Sequence, residues 1–141
     1  MPQTFLRLTA MAIAGWPVLA MADAGRGAAD SDPRPLQHDS LQTLRWKARP
    51  VIVLGDEAQV RQQVASLHAR PPALTDRDII VFVDGPGAEP LRDRAGNGFA
   101  VLLVGKDGGV KRIWNQPVDP QDIFAVIDAM PMRQREADQD G

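Results

Sequence analysis

Between residues 50 and 130 the hydrophobic positions alternate between short unbroken runs and stretches with helical spacing. Pro50-Val51-Ile52-Val53-Leu54 is an apolar run rich in β-branched side chains, which predicts a strand buried on both faces. Gly55 ends it. Asp56 then stands where a helix N-cap belongs, with Gln59 at the capping-box partner position. Val60, Val64 and Leu67 recur at helical spacing. Arg70-Pro71-Pro72 predicts the end of that helix, because proline lacks the amide proton and restricts the residue before it. A turn at Thr75 to Arg77 leads into Asp78-Ile79-Ile80-Val81-Phe82-Val83-Asp84, a second buried strand. Gly85-Pro86-Gly87 predicts a loop, Glu89 to Arg94 a short helix, and Gly96-Asn97-Gly98 another turn.

Phe99 to Val104 forms a third apolar run. Lys106-Asp107-Gly108-Gly109 predicts a hairpin, since Asp-Gly accepts the positive φ angles of a primed turn. The chain returns as Val110 to Trp114, whose polar alternates Lys111 and Arg112 suit an edge strand. The last helix has Asp119 as N-cap, Pro120 at the first helical position, and a staple between Val118 and Ile123. Ile123, Phe124, Val126, Ile127 and Met130 form its apolar stripe. Pro131 is expected to end or kink it, leaving residues 134–141 as a polar tail.

The resulting order is β-α-β-α-β-β-α. A right-handed first crossover makes the first two strands parallel, and the hairpin makes the last two antiparallel. The expectation is an α/β fold: one mixed four-stranded sheet with helices on both faces, in the thioredoxin-like order.

The N-terminus reads differently. Residues 1–7 carry one basic side chain, Arg7, and residues 8–22 are apolar apart from Thr9 and end in Ala20-Met21-Ala22. A basic start, an apolar core and a small-x-small end are the layout of a signal peptide, and the apolar core is shorter than the ~20 residues of a spanning helix; the contrasting reading is an uncleaved membrane anchor. Cleavage before Asp23 removes Arg7 alone among the charges, leaving 15 basic against 18 acidic residues, a balance of -3. Residues 23–40 are rich in Ala, Gly, Asp and Pro and are expected to be a flexible leader. The expected organisation is a signal peptide over 1–22, the leader over 23–40, a folded domain over 41–136 and a tail over 137–141.

The 141-residue chain is 24% charged with net charge -2, and has no basic run suited to nucleic acid. It contains no cysteine, which removes disulfides, thiol nucleophiles and thiolate metal ligands. His38 and His68 cannot build a histidine-rich zinc site by themselves, so neither metal nor cofactor is expected. Residues 105–109 lack P-loop spacing, lack Ser or Thr after Lys106 and precede no helix, which leaves the hairpin reading. Asp56 and Glu57 are the candidates for acid/base work, set against helix capping and a favourable charge at the helix dipole. Arg45, Trp46, Lys47 and Arg49 are the candidates for partner binding, with Trp46 as anchor and the cations at its rim. The contrasting reading packs Trp46 against the domain and pairs the cations with surface carboxylates. His68 suits the C-terminal end of its helix.

Three blocks, "LRWKARPVIVL", "VLLVGKDGGVKRIW" and "IDAMPMRQRE", together resemble the bacterial domain of unknown function 4174 over residues 41–136. The resemblance implies a stand-alone exported domain with a peroxiredoxin-like, thioredoxin-type fold and relatives in vertebrate extracellular proteins with sushi repeats. It carries no established activity. In thioredoxin-type enzymes reactive cysteines lie between the first core strand and the first helix, and a cis-proline precedes the third strand. Here the first place holds Gly55-Asp56-Glu57-Ala58, and Gly98 precedes Phe99. The expectation is therefore a periplasmic or extracellular non-redox module that binds a protein or envelope component, without stable membrane insertion. The alternative is a hydrolase-type acid/base enzyme centred on Asp56 and Glu57.

Overall fold

The computed structural model describes residues 33–140. The expected signal peptide, and the leader up to residue 32, lie outside the described residues. The elements in chain order are β1 (Arg34–Pro35), α1 (Ser40–Thr43), β2 (Arg49–Leu54), α2 (Glu57–His68), α3 (Pro71–Asp76), β3 (Ile79–Val83), a 3-10 turn (Pro86–Ala88), α4 (Glu89–Ala95), β4 (Ala100–Val104), β5 (Val110–Trp114), α5 (Pro120–Asp128) and α6 (Pro131–Asp140). This is a mixed α/β fold on one open five-stranded sheet, ordered β1-β3-β2-β4-β5. β2 runs parallel to β3 and antiparallel to β4, and β4 is antiparallel to β5.

The unbroken apolar runs follow from burial on two faces. Val51 and Val53 point to one side of β2, where Leu67, Ile123, Phe124 and Ile127 pack from α2 and α5. Ile52 and Leu54 point to the other side, against Leu36, Leu91 and Leu102. Period-two alternation therefore divides the strand between two cores instead of between core and water.

The structure corrects the sequence reading at several places. The sheet has five strands, not four. The expected leader contributes the fifth: Arg34 and Pro35 pair with Phe82 and Val83. Leu36 is fully buried, donates its N–H to Val83 O at 3.0 Å and accepts from Gly87 N–H at 2.8 Å. The approach is so close that a Cβ on Gly87 would stand 2.1 Å from Gln37 O, so only glycine fits there. Pro71 and Pro72 do follow the end of α2, but they also start α3, where a missing N–H costs nothing in the first turn. Pro131 likewise begins a new helix, and the expected polar tail is the body of α6. In the β4–β5 hairpin, Gly108 alone is left-handed, at φ 86°, while Asp107 is not. The loop closes by Gly108 N–H to Gly105 O at 3.0 Å and Gly105 N–H to Gly109 O at 2.9 Å, with a register shift at Leu103/Val104. It is a longer, bulged connection, not a primed two-residue turn.

Candidate binding face

At the Asp56 turn the chemistry is local. The Asp56 carboxylate accepts the Gln59 N–H at 3.0 Å, as expected of the N-cap of α2. Glu57 pairs with Arg61 one turn along the same helix at 2.8 Å. Both carboxylates are exposed and engaged within their own helix.

The basic strip before β2 is divided. Arg45, Trp46 and Lys47 are exposed, whereas Arg49 is buried. Residues 44–48 form a tight turn, with Lys47 N–H to Leu44 O at 2.9 Å and Ala48 N–H to Leu44 O at 3.1 Å. The turn is docked on the hairpin by Trp46 N–H to Lys106 O at 2.6 Å. The Arg45 side chain lies across Gly108, 3.2–3.3 Å from where a Cβ would stand. Trp46 sits at φ 65°, a left-handed conformation that costs an ordinary L-residue about 1–2 kcal/mol. Its side chain is 61% exposed, and it is the single exposed large hydrophobic among the described residues. The structure thus separates Arg49 from the strip and turns Trp46 outward.

Arg49 belongs to an ionic network. Its guanidinium donates to Glu136 at 3.2 and 3.4 Å and to Arg77 O at 3.0 Å. Its Nε is buried without an acceptor. Lys106 bridges Asp78 at 2.7 Å and Glu136 at 2.6 Å. Arg133 reaches Asp76 at 2.6 Å, and Arg77 grips Asp128 through two bonds of 2.8 and 2.9 Å while stacking over Phe124. Glu136 pins α6 to the start of β2 and to Lys106 after β4, Arg133 pins it to the end of α3, and Arg77 ties the end of α3 to the end of α5. Burial lowers the Lys106 pKa, but hydrogen bonds to Asp78 and Glu136 and their charges outweigh it and raise the group above the ordinary lysine value. Burial likewise pushes Glu136 up, and Lys106 and Arg49 outweigh that and hold it below the usual carboxylate range. The Arg77 hydrogen bond is the main reason Asp128 is also lowered.

Asp78, Lys106, Arg133 and Glu136 were not among the sequence candidates, because their contacts are long-range and their spacing follows no motif. Gln63 was missed for the same reason: its buried side-chain amide both donates to Val118 O and accepts from Val118 N–H, each at 2.9 Å, tying α2 to the approach to α5. Between the hairpin and α6 lies a cavity of about 400 Å³, lined by Arg49, Lys106, Lys111, Arg135, Met130 and Met132 among others. Among the described residues no cluster of three His, Cys, Asp or Glu side chains could hold a metal ion. No helix of the described residues is long and apolar enough to cross a membrane.

A family described as Domain of unknown function (DUF4174) matches residues 91–136, the stretch from α4 to Glu136. No curated protein and no solved structure matches the chain.

Proposed function

Starting from a chain that carries the DUF4174 domain over residues 91–136, we propose that it is an exported, thioredoxin-like, non-redox binding module. It engages a protein or envelope component through the Arg45–Lys47 turn. The observation that carries the reading is Trp46. A large aromatic is held outward in a left-handed backbone conformation, flanked by two exposed cations. Strain and exposure at one residue are both unfavourable to the free protein, and their coincidence is the mark of a site kept for contact.

The thioredoxin-like part of the reading rests on the β3-β2-β4-β5 order, with β2 and β3 parallel and the other neighbours antiparallel. The peroxiredoxin-like relationship implied by the sequence blocks belongs to the same reading. The absence of cysteine rules out thiol exchange at the turn after β2. Export rests on the apolar segment ending at Ala22, and N-terminal sequencing of the exported protein should begin at or near Asp23. A membrane-bound chain retaining residues 8–20 would refute that part. The local engagement of Asp56 and Glu57 speaks against the acid/base alternative.

Trp46→Asn tests the module. Asparagine tolerates the left-handed conformation, so the variant should melt at or slightly above the parent temperature. Immobilised parent should retain an envelope component that the variant does not. If the variant retains the same component equally well, the Trp46 reading is wrong.

A further inference from the structure

The geometry points to a second site: we propose that the cavity between the β4–β5 hairpin and the start of α6 binds a carboxylate carried on an aliphatic body. It is independent of the Trp46 reading. A volume of about 400 Å³ is within the range of small-molecule sites. Met130 and Met132 contribute its apolar surface on either side of Pro131, and flexible thioethers adapt to an alkyl chain. Around them stand Arg49, Lys106, Lys111 and Arg135, with Asp107 the one acidic residue in the lining.

That carboxylate is already engaged. One oxygen accepts from Gly109 N–H at 3.0 Å and the other from Lys111 at 2.6 Å. Asp78 and Glu136, which neutralise Lys106 and Arg49, line the neighbouring groove with Asp76 and not this cavity, so Lys106 stands in the wall between an acidic and a basic concavity. Arg135 is exposed and makes no ion pair with another described residue. Arg49 is 1% exposed and retains a buried Nε–H without an acceptor. With Asp107, Glu136 and Asp78 paired to Lys111, Arg49 and Lys106, the uncompensated charge is that of Arg135, and a cation beside an apolar surface selects an amphiphilic anion: the carboxylate meets Arg135 at the rim beside Lys111, and the chain covers the methionines.

Isothermal titration of the full chain with octanoate, octylammonium, octanol and N-acetyl-Leu-Leu tests this. Octanoate should bind saturably, and octylammonium should not. The Lys111→Gln/Arg135→Gln variant should bind octanoate at least tenfold more weakly with an unchanged melting temperature. Octanoate should also shift the methyl resonances of Met130 and Met132 in the parent, a readout that needs no variant. Tighter binding of the dipeptide would identify a peptide C-terminus as the carboxylate source, and tighter binding of octanoate a free amphiphile; each supports the site. Absence of saturable octanoate binding, equal binding of octanol or octylammonium, or methyl shifts confined to other residues would overturn it.

Discussion

Glu136→Gln is the sharpest perturbation of the ionic network. It keeps the side-chain shape and one acceptor oxygen but removes the charge that faces Arg49 and Lys106. Removing one partner of a buried ion pair costs about 3–5 kcal/mol, because the other charge is left uncompensated. Arg49 is 1% exposed and meets that condition, but Glu136 is 24% exposed and Arg49 keeps Arg77 O as an acceptor. The expected loss is therefore reduced to about 2–3 kcal/mol. Arg49→Met removes the buried charge itself and leaves Glu136 with Lys106, so it should cost only about 1 kcal/mol. In that background Glu136→Gln should cost about 1 kcal/mol or less, giving a coupling of roughly 1–2 kcal/mol in a double-mutant cycle. Urea unfolding of the four proteins at neutral pH measures all of these terms. A Glu136→Gln loss under about 0.5 kcal/mol, or an equal loss with and without Arg49, would refute the argument that α6 is held by this pair.

Other expectations follow from the same geometry. Asp56→Ala should destabilise the domain by roughly 0.5–2 kcal/mol and Asp56→Ser should recover much of it, since a hydroxyl can accept the Gln59 N–H; equal stability of parent and Asp56→Ala in urea melts would refute the cap. Glu136 and Asp128 titrate below their unfolded values of 4.5 and 3.8, so their contribution is present above those values and is lost as pH falls through the lower folded ones. The parent should accordingly lose more stability than Glu136→Gln between about pH 7 and pH 3, and parallel acid limbs would count against the assignment. Lys106 titrates above 10.5, so its contribution is present below that value and lost as pH rises through the folded one; Lys106→Met should flatten the alkaline limb of the melting curve, and an unchanged limb would contradict it.

What was legible in the sequence is what local chemistry determines. β2, β3 and β4 stand out because burial on both faces makes them continuous apolar runs, and α2 and α5 because caps and apolar spacing coincide. The resemblance to the matched family was legible too, since the hairpin block and the last block fall inside the matched residues 91–136. α6 was not: its charges read as a solvated tail until partners from distant elements are brought to them. Arg49 and Glu136 are 87 positions apart, beyond the reach of any spacing argument. β1 spans two residues and has no periodicity to detect. The left-handed Trp46 is invisible in a sequence, because the turn is held by backbone bonds to Leu44 O and Lys106 O that no residue type in it marks.

The charged side chains at the two ends of the sheet differ in the reach of their bonds, although the neutral Gln63 amide also ties distant segments at the Asp56 end. β2 runs from Arg49 to Leu54, and β4 runs beside it in the opposite sense, so the C-terminal end of β4 and the start of β2 meet near Gly105. The Asp56 turn lies at the other end of β2. There, Asp56 and Glu57 bond to groups three and four residues away, a pattern that stabilises one helix and needs nothing from the rest of the fold. At the Arg49 end the bonds span 28, 30 and 87 residues and bring β2, β3, β4 and α6 together. Groups fixed by so many distant elements keep their positions relative to one another, which is the condition for recognising a ligand rather than merely stabilising a helix. The exposed Trp46 and the cationic cavity both border Lys106, at this same end. Both proposed recognition sites, the Trp46 turn and the cavity beside α6, therefore lie at the end of the sheet opposite the turn after β2. Substitutions there should therefore change binding and stability separately, as Trp46→Asn and Glu136→Gln are each designed to show.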